Sequence, residues 1–346
     1  MNTNARYNLL RVLVALVSAL VALLVVIPLV YDWAGVRTNL EEFIAPTQLA
    51  EMHRKTRVAR EATPTAEFVT RAPAPTQVPQ TPAPPLPTVA ALNGVPIQRL
   101  IFLSDATRAH VRDIFAQGQT LGRNPRAFSK VGDSTMVYPP FLAVFDRQTF
   151  RLGKFAYLQP TIDYYAGTFG RTSVAVKKGM HTWSQFDPAW ALPELCAPNE
   201  GPLACELRLN NPSIALIRLG ANDTEFPREF EQNLGAIVKY CLARGIIPVL
   251  GTKPDRQEGE SNLLNNIVRK TASAYSIPLW DYDLIAGTVP GRGLEPDLIH
   301  MQGGGTRDYR SPAALRAGDS LEDLSALMML DALRRELGVE MASSPQ

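Results

Sequence analysis

The stretch that decides the fold is PSIALIRLGANDTEFPREFEQNLGAIVKYCLARGIIPVLGTK, residues 212–253. It opens and closes on near-continuous apolar runs, 214–219 and 246–250, of the length and β-branched content that suit strands. Between them, from about Phe226 to Arg244, Phe230, Leu234, Ile237 and Cys241 recur at helical spacing, and Gly245 is suited to end the helix. Strand, crossover helix, strand is the unit of a parallel sheet, and strands apolar on both sides imply helices on both faces.

The same texture extends outward from residue 97. AFSKV (127–131), SVAV (173–176) and IPLWD (277–281) read as further strands. Helices are expected over 263–275 and over SLEDLSALMMLDALRREL (320–337), with TRAHVRDIF (107–115) on a surface helix. The expected class is therefore α/β. In open sheets of this kind ligands bind at the carboxyl ends of the strands, so chemistry is sought just past them.

Three motifs stand there or in a late loop. KVGDSTM (130–136) places Ser134 just past AFSKV, where Gly132 permits a sharp turn. LGAND (219–223) places Asn222 and Asp223 after the next confident strand, and PDLIH (296–300) sets Asp297 three residues before His300. A serine hydroxyl needs a base to take its proton, and imidazole is suited to that near neutrality. Asp297 can reach the other ring nitrogen of His300 and hold its tautomer. Asn222 can donate its amide to a developing oxyanion, while Asp223 reads as an N-cap or a support for the site.

Taken in order, GDS, GAND and DLIH resemble the blocks of the SGNH/GDSL hydrolases, over roughly residues 94–338. The resemblance implies a three-layer α/β/α flavodoxin-like domain. It also implies Ser134 as nucleophile, His300 as base, Asp297 as orienting acid, and an oxyanion hole of the Ser134 N–H, a second-block glycine and Asn222. The usual second block is replaced by VAVKKGMHTW (174–183), in which Gly179 is the candidate donor and Gly170 the alternative. No cofactor is required for such a site. The partners it implies are acylated small molecules, lipids or glycans. A noncatalytic carbohydrate- or lipid-binding module with an idle site, and an O-acyltransferase using the same triad, are the rival functions.

Of the 4 histidines, His181 in GMHTW is the rival to His300 or a substrate contact; His110 and His53 read as bystanders. Trp183 and Tyr138 follow the second and first blocks and are candidates to line a pocket. The 3 cysteines lack any zinc-site spacing, so no metal is expected. Cys196 and Cys205 bracket CAPNEGPLAC and can close as a disulfide in an oxidising compartment, whereas Cys241 reads as a core residue. A net charge of only +2, with scattered basic residues, excludes a nucleic-acid footprint.

Ahead of the domain, residues 12–30 form an apolar run interrupted only by Ser18 and Pro28. At about 1.5 Å per residue it is long enough to cross a ~30 Å hydrocarbon core. Arg6 and Arg11 precede it and acidic residues follow, which keeps the N-terminus cytoplasmic. The run is longer than a signal-peptide core and YDWAGV (31–36) is a poor cleavage site, so an uncleaved signal anchor is expected. The Pro/Thr/Ala-rich stretch 63–88 cannot build a core and suits an extended spacer. The expected organisation is a cytoplasmic tail (1–8), a transmembrane anchor (9–30), a stalk and linker (31–93), an extracytoplasmic hydrolase domain (94–340) and a short tail (341–346).

Overall fold

The computed structural model describes residues 89–138 and 140–339. The expected tail and anchor, the stalk up to residue 88 and the closing residues 341–346 lie outside the described residues. Among the described residues no helix is long and apolar enough to cross a membrane.

A two-stranded hairpin comes first, β1 (Ala91–Leu92) against β2 (Val95–Pro96), turned by Asn93 and Gly94. Both turn residues have positive φ, 47° and 80°, the requirement that makes Asn-Gly the favoured two-residue connection. The main sheet has β3 (Ile101–Phe102), β4 (Asn124–Gly132), β5 (Pro212–Arg218), β6 (Ile247–Gly251) and β7 (Leu279–Trp280), in the order β3-β7-β6-β5-β4. Strands β4 to β7 run parallel, and β3 closes the far edge antiparallel to β7. The domain is thus mixed α/β around a mainly parallel sheet, as the 212–253 stretch implies.

Side chains alternate across the sheet with the period of two that a strand imposes. Ile214, Leu216, Ile247 and Val249 join Phe128 and Trp280 in one core with the helices Asp105–Thr120 and Gly318–Glu336. Ala215, Ile217, Leu219 and Leu250 enter a second core, against the helices Pro227–Leu242 and Leu263–Ala274. Each fully buried Leu, Ile or Phe in these cores contributes about 1.5–3 kcal/mol. Cys241 is buried in the second core and its thiol is pushed up to about 12, so it acts as a small apolar residue.

One expected strand is replaced. A flavodoxin-like order needs a strand outside β4, and SVAV, expected as a strand, does not supply one. Residues 173–176 instead form a turn that touches the sheet at a single parallel bridge, Val176 to Gly132. Ser173 Oγ donates to Lys130 O of β4 at 2.6 Å and accepts from Ala175 N at 3.1 Å. A serine that bonds the backbone in this way competes with ladder formation.

The helix Gly318–Glu336 is buried on nearly every side, although it carries Asp319, Glu322, Asp323 and Asp331. Buried carboxylates need partners. Arg307 pairs with Asp319 at 2.6 Å and Asp323 at 2.7 Å, Arg218 with Glu322, and Arg334 with Asp331.

Cys196 and Cys205 are bonded to each other. Closing so short a loop removes unfolded-state entropy worth about 2.6 kcal/mol. Cys196→Ala/Cys205→Ala is therefore expected to lower the unfolding free energy by a matching amount, read as a lower urea midpoint, and dithiothreitol should do the same to the native protein. Coincident denaturation curves would show that the bridge adds nothing.

Candidate active site

The loops after β4, β5 and β6 and the segment carrying His300 are joined by hydrogen bonds and contacts. Gly132 ends β4; a Cβ there would collide with Met136 Sδ and come within 2.9 Å of Arg218 O, so glycine lets the end of β5 and the serine turn approach this closely. Asp133 then caps the short 3-10 turn Ser134–Met136. Its Oδ1 accepts from Thr135 N at 2.9 Å and Thr135 Oγ1 at 2.7 Å, and its Oδ2 from Ala221 N at 3.2 Å. The aspartate of GDS therefore ties the serine turn to the GAND loop.

Asn222 donates from Nδ2 to Met180 O at 2.9 Å. An amide nitrogen carries two hydrogens, so one such bond leaves a second donor for another acceptor. Buried Asp223 accepts from Thr182 N at 3.1 Å and Thr182 Oγ1 at 2.8 Å. Burial raises its pKa, opposed by the Thr182 bonds and by His181. Asp223 is thus a support and not a cap; the helix Pro227–Leu242 has no side-chain cap. Through Asn222 and Asp223, residues 180–182 are held against the GAND loop.

Gly179 stands in this same segment, exposed and with φ of 77°. It follows the Val176–Gly132 bridge, which places the segment beside the end of β4. Gly170 does not compete for the oxyanion role, because its N–H is taken by Asp146 Oδ2 at 2.6 Å.

His300 and Asp297 are brought together. His300 Nδ1 lies 2.6 Å from Asp297 Oδ2, while Asp297 Oδ1 accepts from the backbone N–H of Ile299 and His300 at 3.0 Å each. These bonds, the side-chain one first, hold the Asp297 carboxyl down at about 2. It is ionised throughout the range in which an imidazole base works. The turn puts Leu298 in the left-handed region at φ 59°, and Gln257 Nε2, from the loop after β6, donates to Leu298 O at 3.0 Å. Gly303, further along the same segment, packs against the Tyr138 ring, close after Ser134 in the chain.

Ser134 Oγ and His300 make no hydrogen bond to each other among the described residues. Such bonds commonly tighten only when substrate is bound. His181 takes a different place: its Nδ1 is 3.8 Å from Asp223 Oδ1 and its ring stacks on Trp183. His110 Nδ1 lies 3.1 Å from Ser276 O, away from the three motifs, and His53 is outside the described residues. Among the described residues the only cluster with metal-ligand spacing is Cys196, Glu200 and Cys205, and the disulfide consumes both of its thiols.

Arg218 is a site residue that the motif reading missed. It is the last residue of β5, fully buried, and donates from Nη2 to Thr135 O at 3.0 Å, bracing the serine turn from below. Its guanidinium lies over the rings of Phe141, Trp280 and Tyr282 at 5.5, 5.4 and 5.9 Å. A signal was present in the sequence: a cation inside an apolar strand needs a buried partner. Two cavities, of about 780 and 520 Å³, open elsewhere; neither is lined by Ser134, Asn222 or His300.

No family model matches this chain, and no curated protein sequence matches it. Among solved structures it is similar to TesA, with 19% identity and a TM-score of 0.39 over 60% of this chain and 99% of that one. It is also similar to the psychrotrophic esterase EstA from Pseudoalteromonas, at 17% identity and a TM-score of 0.35, covering 59% and 98%. An acetyl-xylooligosaccharide esterase from Geobacillus matches at 14% identity and a TM-score of 0.37, covering 63% and 97%. At these identities and scores, activity has to be argued from the site itself.

Proposed function

We propose that residues 94–340 are an SGNH/GDSL-type serine esterase, held outside the cell by the anchor 9–30 and the stalk 31–93. The observation that carries the reading is the Asp297–His300 pair, with Nδ1 on the carboxylate and the other ring nitrogen left for a proton transfer. Gln257 bonds that pair's segment to the loop after β6, and Gly303 of the same segment lies close to Tyr138, four residues after Ser134.

In the proposed reaction His300 takes the Ser134 proton as Oγ attacks an ester carbonyl. The tetrahedral oxyanion is held by the N–H groups of Ser134 and Gly179 and by the Asn222 amide. Collapse expels the alcohol, which takes the proton from His300 and leaves an acyl-serine. Water, deprotonated by His300, attacks the acyl carbon, and the carboxylic acid departs with Ser134 restored. Asp297 stays ionised and stabilises the imidazolium in both halves. The Cys196–Cys205 bond supports an oxidising, extracytoplasmic compartment.

The full-length chain is expected to hydrolyse p-nitrophenyl acetate. Asn222→Ala should lower kcat by about a hundredfold or more, since removal of one oxyanion donor typically costs that much. Steady-state kinetics measure both. An unchanged kcat in Asn222→Ala would remove the amide from the oxyanion hole, and a wild-type chain without ester turnover would end the esterase reading.

A further inference from the structure

Four large apolar side chains exposed in the structure stand on the segments that carry the candidate site: Tyr138, Trp183, Phe226 and Leu298. Trp183 is the one with polar chemistry built around it. Its side chain is 43% exposed, it stacks on His181 at 5.6 Å and 24°, and Trp190 meets it edge-on at 5.9 Å. The residue before it, Thr182, is bonded through backbone and side chain to Asp223, the neighbour of Asn222. The segment that carries the indole is therefore tied to the loop that carries Asn222.

His181 is oriented as well. Its Nδ1 is buried, has no hydrogen bond and faces Asp223 Oδ1 at 3.8 Å, while the side chain as a whole is 27% exposed. With Nδ1 buried, the exposure belongs to the rest of the ring, which includes Nε2. A carboxylate beside Nδ1 favours the proton there, which leaves Nε2 to accept a hydrogen bond from outside. The exposed part of the indole that His181 leaves uncovered, with the acceptor on His181 beside it, is complementary to a pyranose ring, which offers an apolar C–H face and a rim of hydroxyls. An acyl chain has no use for the acceptor.

We propose that Trp183 and His181 form a sugar-binding subsite beside the oxyanion donors, so that the substrate is an O-acylated glycan whose sugar ring stacks on Trp183 and gives a hydroxyl to His181 Nε2. The choice of substrate rests on the esterase reading; the subsite itself can be tested without it. Full-length wild type, Trp183→Ala, Trp183→Phe and His181→Ala would be assayed on acetylated xylo-, chito- and uronate oligosaccharides, on p-nitrophenyl acetate and on p-nitrophenyl octanoate. Binding of the oligosaccharides to Ser134→Ala would be measured by titration calorimetry.

The expected result is a rise in KM of tenfold or more for at least one oligosaccharide in Trp183→Ala, much larger than any change with p-nitrophenyl acetate, and substantial rescue by Trp183→Phe. His181→Ala should weaken the same oligosaccharide. Equal losses on glycan and p-nitrophenyl acetate, a loss confined to the octanoate, or no binding of any oligosaccharide to Ser134→Ala would each overturn the subsite. Oligosaccharide binding lost in Trp183→Ala, together with no ester turnover by wild type, would keep the subsite and end the esterase reading instead.

Discussion

Ser134→Ala is expected to lower kcat on p-nitrophenyl acetate by about 10⁴-fold or more, the scale seen when a nucleophile that works with its base is removed. The fold should not notice the change. Ser134 Oγ makes no hydrogen bond within the described residues, so its removal leaves no buried partner unsatisfied and stability should move by less than about 0.5 kcal/mol. His300→Ala should cause a loss of similar size, and the double variant should be no worse than either single one, because the two groups act as a unit. Additive losses, or an active Ser134→Ala, would mean that ester cleavage takes another route.

The second large effect is on stability. In Arg218→Met the guanidinium that pairs with Glu322 is lost, and Glu322 is left buried without its cation. Removing one partner of a buried ion pair costs about 3–5 kcal/mol. Burial already raises Glu322 to about 7, against the downward pull of Arg218. Without that pull the folded-state value rises further. The sign follows: a carboxyl whose folded pKa lies above its unfolded one becomes a growing burden as pH rises through that interval. Arg218→Met should therefore show a larger deficit in urea denaturation at about pH 8 than at about pH 5. Arg218→Met/Glu322→Leu should recover much of the stability, yet its kcat should remain low because Thr135 O still lacks its donor. Recovery of kcat along with stability would reduce Arg218 to a structural role.

How far the site was legible in the sequence follows from the range of its interactions. The strands β5 and β6 and the helix between them are continuous, apolar and periodic, so local pattern sufficed. Asp297 and His300 sit three residues apart, and their pairing likewise needs no tertiary information. The bond from Asp133 to Ala221 and those from Asp223 to Thr182 span 88 and 41 residues, which no local spacing encodes. Arg218 was passed over because its carboxylate partner lies on the helix Gly318–Glu336, far along the chain. The composition of SVAV suits a strand, but the Ser173 hydroxyl bonds Lys130 O, 43 residues back, and Ala175 N, two residues on, and only the second of these is encoded locally.

The central claim is that Ser134 is a nucleophile activated by His300. Its most direct test is to treat the full-length protein with a fluorophosphonate probe and map the adduct by peptide mass spectrometry. One phosphonylated residue, Ser134, is expected, with labelling strongly slowed in His300→Ala. No adduct, or an adduct on another residue with Ser134 untouched, would contradict it.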